Sequence, residues 1–158
     1  MSRIRFLTLS LLSVSLLACS YSFVLDGGAG GSQDFVLRPS TNRTTLIEAG
    51  MTLDAELERT LSSMGMLAPE SGKYILHCTL TSYSSQAITS PSLSSDDRYR
   101  LTVHVAARVL DAQGKELWTM GFSDQGTYPE RGAEESGLEE ASRRVSLQIA
   151  RALAAVVL

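Results

Sequence analysis

Tyr99-Arg100-Leu101-Thr102-Val103-His104-Val105-Ala106-Ala107-Arg108-Val109 alternates with a period of two. Successive strand residues point to opposite faces of a sheet. Tyr99, Leu101, Val103, Val105, Ala107 and Val109 therefore form an apolar face, and Arg100, Thr102, His104, Ala106 and Arg108 a wetter one. A strand dry on one side and wet on the other belongs to an antiparallel sheet covered on one face. Asp111-Ala112-Gln113-Gly114 has the composition of a hairpin turn. The chain then returns with Trp118, Met120 and Phe122 on a single face.

Working outward, the segment from Lys73 has the same period, with Tyr74, Leu76, Cys78 and Leu80 on one side and Ile75, His77, Thr79 and Thr81 on the other. Polar loops are expected at Ser84–Asp97 and Ser123–Gly132. Further upstream, Leu46, Leu53, Leu57, Leu61 and Met64 recur at helical steps, while Asp54, Glu56, Glu58 and Arg59 fall largely elsewhere. Thr45 with Glu48 makes a possible capping box, Gly50 pushes the expected start towards Thr52, and Gly65 is a natural stop. Asp34–Leu37 is a short strand expected to end at Pro39. The chain closes on a helix expected over Glu134–Val157, with Leu138, Ala141, Val145, Ile149, Leu153 and Val156 on one face. Its acidic start and its later Arg143, Arg144 and Arg151 suit the helix dipole. The expected fold is α+β: a four-stranded, mainly antiparallel sheet with two helices packed on one face, in the order β-α-β-β-β-α. The order of strands across the sheet stays open.

The amino end carries a different message. Arg3 and Arg5 precede an apolar run from Phe6 to Leu17, and Leu16-Leu17-Ala18-Cys19 follows the pattern of a lipoprotein signal peptide. The run is about a dozen residues, short of the roughly 20 that span a bilayer as a helix. The chain therefore divides into a lipoprotein signal peptide over 1–18, a lipidated amino end with a glycine-rich tether over 19–32, and one domain over 33–158. Cys19 is the expected lipidation site, and two or more acyl chains would hold it in a membrane. Ser20, in place of aspartate, favours the outer membrane. An ordinary secretory signal with an incidental cysteine is the alternative. Asp26-Gly27-Gly28-Ala29-Gly30-Gly31-Ser32 lacks the Lys-Ser/Thr of a phosphate-binding loop and is a tether by composition.

The formal net charge is −3, and removing Arg3 and Arg5 makes the remainder more acidic still. That balance disfavours nonspecific binding to nucleic acid or to an anionic bilayer surface. Once Cys19 is acylated, Cys78 alone remains, so no intramolecular disulfide can form. His77 adjoins Cys78, yet neighbouring strand residues diverge and make no catalytic dyad. His77 and His104 lack a third ligand for zinc. The carboxylates of Asp96-Asp97, Glu134-Glu135 and Glu139-Glu140 are accounted for by a turn and a helix start. The sequence argues for no enzyme, no metal and no cofactor. What remains is binding: Arg100, Arg108, Thr79, Thr81, His77 and His104 on the polar sheet face, with Arg98 and Arg131 in the loops, suit phosphate or carboxylate. Scattered surface arginines are also ordinary.

Several pieces in order carry a family likeness: Cys19-Ser20-Tyr21-Ser22-Phe23, Asn42-Arg43-Thr44, Leu80-Thr81-Ser82-Tyr83, Tyr99 to Val105, Leu110-Asp111, Gly114-Lys115, Leu117-Trp118, Phe122-Ser123 and Tyr128. Together they resemble the lipopolysaccharide-assembly lipoproteins of the LptE family. Ser20 and Cys78 depart from it, since glycine is common at both places in its members. The resemblance implies two helices on a four-stranded sheet and no enzymatic activity. It implies an outer-membrane lipoprotein at the periplasmic face, partner and plug of an LptD-type β-barrel, in contact with lipopolysaccharide. It also implies lipid contacts at loop basic residues, for which Arg98 and Arg131 are the candidates. A rival reading makes the chain an envelope regulator or an accessory subunit of another periplasmic or outer-membrane complex. The short tether weighs against it.

Overall fold

The computed structural model describes residues 34–68, 71–88, 98–129 and 132–156. The expected signal peptide, the expected lipidation site Cys19, the expected glycine-rich tether, Asp96-Asp97, Arg131 and Val157 lie outside them. The described residues form β1 (Phe35–Asn42), α1 (Ala49–Ser63), β2 (Tyr74–Ile88), β3 (Arg98–Leu110), β4 (Glu116–Tyr128) and α2 (Glu134–Ala155). The expected order β-α-β-β-β-α and the α+β class are what the molecule has.

The strands lie in the order β1-β2-β3-β4. β2, β3 and β4 are antiparallel neighbours, whereas β1 runs parallel to β2. A parallel pair needs a crossover, and α1 supplies it. The turn between β3 and β4 closes through Asp111, whose Oδ1 accepts the N–H groups of Gln113 and Lys115 at 2.9 Å. Gly114 takes the positive φ of 82° that this turn requires.

Both helices cover one face of the sheet. Leu53, Leu57 and Leu61 from α1 and Ala141, Val145 and Ile149 from α2 are fully buried with Leu76, Cys78, Leu80, Leu101, Val103, Ala107 and Val109. α2 lies closest to β4 at a pair of glycines. A Cβ on Gly126 would stand 2.8 Å from the carbonyl carbon of Gly137 and 2.9 Å from the nitrogen of Ala141.

Five local expectations are corrected. β1 does not stop at Pro39; it continues to Asn42 as an edge strand, with a register shift between Arg38 and Thr41. Proline is tolerated at such an edge or bulge, where its missing N–H breaks no ladder. α1 begins at Ala49, not near Thr52, because Ala49 and Gly50 are buried and a Cβ at Gly50 would sit 3.4 Å from that of Asn42. No Thr45–Glu48 capping box forms, since the cap position is Glu48 itself and no side chain caps it. Asn42 organises this loop instead, donating to Leu46 O at 2.6 Å and accepting from the Thr44 N–H at 2.9 Å. Glu56, expected on the wet side, is buried within α1's inner arc and pairs with Arg59.

The fifth correction concerns length. β2 extends to Ile88 and β4 to Tyr128, so both polar loops are shorter than expected. Polar sequence misled the reading because the end of β2 is largely exposed and the end of β4 turns only Gly126 and Tyr128 inward. A register shift between Leu80 and Ser82 exchanges the faces of β2. Beyond it Tyr83 turns back towards the core, opposite Val103, and its hydroxyl lies 3.2 Å from Thr45 Oγ1. A strict period of two carried through Thr81 therefore fails after that point.

Candidate functional site

The face of the sheet away from the helices is the functional candidate, and the register places its residues. Arg38 on β1, His77 on β2, Arg108 on β3 and Thr119 on β4 are successive cross-strand partners, forming one row across the sheet. The period of two sets Arg98, Arg100 and His104 on the same face as Arg108. Gln86 and Thr127 flank Arg100, and Ser82 and Ser123 flank His104. On this face Glu116 lies 3.9 Å from Arg108. With both side chains nearly half exposed, that pair is worth little. The result is a broad surface of guanidinium, imidazole and hydroxyl groups on a chain of net charge −3.

His77 is fixed within its row. Arg108 Nη2 lies 3.4 Å from His77 Nδ1, and Thr41 Oγ1 lies 3.2 Å from Nε2. A guanidinium can only donate, so Nδ1 is the acceptor and the ring proton of the neutral imidazole sits on Nε2. Partial burial, then the nearby charges of Arg108 and Arg38, push its pKa below the usual histidine value. The imidazole is thereby kept uncharged at neutral pH.

His77 and Cys78 point to opposite faces, as expected. Cys78 is fully buried in the core, and burial pushes its thiol up to about 12. It is a small apolar side chain with no thiolate available at neutral pH. No group of three or more metal-capable side chains occurs among the described residues. A surface groove of about 340 Å³ between Thr45–Glu48 and the start of α2 contains Glu134 and Glu135 beside Leu46, Ile47 and Leu138. Among the described residues that line it there is no histidine, cysteine or lysine.

Arg98 is exposed at the start of β3, opposite Ile88. Arg131 is outside the described residues. The end of β4 that leads into its loop is described, however, and there Tyr128 lies opposite Tyr99 with their rings stacked 5.2 Å apart. Both polar loops thus open from the same end of the sheet. The sequence missed Arg38, because β1 was expected to stop one residue earlier. Continuing the alternation of Val36 to residue 38 would have found it.

A family model, LptE: Lipopolysaccharide-assembly, matches residues 33–153. No curated protein is matched by the sequence. Among solved structures, the PelC dodecamer from Paraburkholderia phytofirmans is similar at 18% identity, over 76% of this chain and 87% of that one, with a TM-score of 0.50. A minor lipoprotein from Acinetobacter baumannii is similar at 15% identity, over 78% of this chain and 92% of that one, with a TM-score of 0.51. A protein from Xanthomonas campestris reaches a TM-score of 0.55 at 12% identity, over 74% of this chain and 81% of that one. At such identities the likeness is one of fold alone.

Proposed function

Because this chain belongs to the LptE lipopolysaccharide-assembly family, we propose that it acts as a lipid-anchored partner of an LptD-type outer-membrane β-barrel and assists delivery of lipopolysaccharide to the outer leaflet. Residues 1–18 are removed, Cys19 is acylated, residues 19–32 form the tether and residues 33–158 the working domain. The anchor holds it at the periplasmic face of the outer membrane. Its action is by contact and positioning, without a chemical step.

The observation that carries this reading is the family match across 33–153, which covers all four described strands, α1 and all but the last two residues of α2. The helix-free face supports it. Phosphate and carboxylate groups of a glycolipid are the ligands that guanidinium groups recognise best, through paired, charge-assisted hydrogen bonds. Arg98 and Arg131 are the residues proposed to meet those groups.

The test is to solubilise the native protein in mild detergent, purify it and identify what accompanies it, with mass spectrometry of its amino-terminal fragment. A large barrel protein in stable ratio and an acylated Cys19 are expected. A protein that runs alone, or an unmodified Cys19 at a mature amino end, overturns the proposal.

A further inference from the structure

The edge strands of a sheet expose a row of main-chain donors and acceptors that another chain can pair with, and folded proteins usually cover them. The two edges here are treated differently. On β1, Pro39 has no N–H, the register shifts beside it, and Asp54 accepts the Ser40 N–H on both carboxylate oxygens at 3.0 Å. That edge is blunted.

On β4 the covering is half complete. Over the second half of the strand, α2 supplies the partners. Glu140 Oε2 accepts the Thr127 N–H at 2.8 Å, and Gln148 Nε2 donates to Asp124 Oδ2 at 2.6 Å and reaches Ser123 O at 3.5 Å. Asp124 Oδ1 accepts the Gln125 N–H at 2.7 Å. These outward main-chain groups belong to residues 123, 125 and 127. The alternation of an antiparallel strand therefore directs the N–H and C=O groups of Thr119 and Gly121 outward as well. Among the described residues, none bonds them.

The same open stretch, Leu117-Trp118-Thr119-Met120-Gly121-Phe122, contains no proline and no charge, the usual devices against pairing. Trp118, Met120 and Phe122 lie opposite Val109, Ala107 and Val105, and so share the core-side face. Yet Met120 is 48% exposed, and the Trp118 and Phe122 rings meet at 6.1 Å. A ready ladder and an apolar stripe therefore coincide over about six residues.

We infer that Leu117–Phe122 of β4 is a docking edge for an extended segment of another polypeptide, apolar at alternate positions and basic at the end that meets Glu116. That segment pairs with the main chain of Thr119 and Gly121 and lays its apolar side chains beside Trp118, Met120 and Phe122. Glu116, at the open end of the stretch and only weakly paired with Arg108, favours lysine or arginine at that end of the incoming strand. The inference stands on the β4 edge alone and holds whether or not the sheet face binds lipopolysaccharide.

The test is fluorescence anisotropy with a labelled peptide, Lys-Val-Thr-Val-Thr-Val-Lys, titrated with the purified chain, Thr119→Ala and Thr119→Pro. The Thr119 N–H points away from β3, so proline there removes a docking donor and no ladder bond. Wild type and Thr119→Ala should bind alike, Thr119→Pro at least tenfold more weakly, and amide exchange at Gly121 should slow when peptide is bound. A peptide N-methylated at its valines tests the same ladder with the protein unaltered, and should also lose binding. No binding by the wild-type chain, equal binding of the methylated peptide, or a concentration-dependent dimer abolished by Thr119→Pro would each overturn the inference.

Discussion

Gly126→Ala is the sharpest perturbation of how α2 sits on β4. The added methyl group would lie 2.8 Å from the carbonyl carbon of Gly137 and 2.9 Å from the nitrogen of Ala141, and it points at the Gly137 carbonyl oxygen. These are backbone atoms within a helix, so no rotamer change relieves them and α2 must retreat as a body. Ordinary contact begins near 3.4 Å. A gap of about 0.5–1 Å already forfeits a quarter to a half of the dispersion energy of each facing atom pair. Overpacking of this kind costs about 1–3 kcal/mol, and the backbone origin of the clash puts Gly126→Ala at the upper end, about 3 kcal/mol. For a domain of this size that lowers the melting temperature by about 10 °C. Gly121→Ala is the matched control on the same strand. Nothing lies within 4 Å of its added Cβ. It should gain about 0.4–1 kcal/mol, through the lower entropy of its unfolded chain. Urea unfolding of the three proteins under identical conditions measures both. A Gly126→Ala midpoint equal to wild type, or an equal loss in Gly121→Ala, refutes the close approach.

Four further outcomes are expected. Cys78→Ser should destabilise the fold by about 1–3 kcal/mol, because a hydroxyl replaces a thiol within the apolar core, yet leave cellular function intact; a stably folded variant with a null phenotype would contradict this. With its thiol pushed up to about 12, native Cys78 should resist iodoacetamide at pH 8 and react only when unfolded, its thiolate fraction being roughly one in ten thousand. His77 has a folded pKa below its ordinary 6.5, so the unfolded chain binds the proton more readily; its contribution to stability is present above pH 6.5 and is lost as the pH falls below that value. His77→Gln should flatten the dependence of unfolding midpoint on pH in that acid range, and an unaltered profile would count against the Arg108–His77–Thr41 row. Finally, replacing Arg98 and Arg131 together by glutamate should weaken lipopolysaccharide binding at least tenfold without moving the melting temperature, and unchanged binding returns both to ordinary surface residues.

The sequence was legible where one face of an element is dry and the other wet. β3, the Asp111–Gly114 turn and the buried stripe of α2 follow from alternation or helical spacing alone. It was misleading where tertiary contact replaces local preference. Pro39 stops a central strand but not an edge, and Gly50 weakens a lone helix yet is buried in the first turn of α1 in the folded chain. Glu56 is buried because it falls on the arc of α1 that carries Leu53 and Leu57. Of the sheet-face residues, His77, Arg100, His104 and Arg108 were evident from parity. That Arg38, His77 and Arg108 stand in one row depends on the strand order, which no pattern within a single strand encodes.

The parallel seam between β1 and β2 has a consequence for how the molecule assembles. The β3–β4 hairpin closes over a tight turn and β2 joins it across a short connection, whereas β1 gains its ladder only after the whole of α1 has swung over the sheet. Distant pairings are slow because the chain between them must be ordered first. The three-stranded ribbon should therefore acquire amide protection before Phe35–Asn42 does, leaving the flank of β2 bare for an interval. In a crowded compartment, that flank is where a folding helper would need to be.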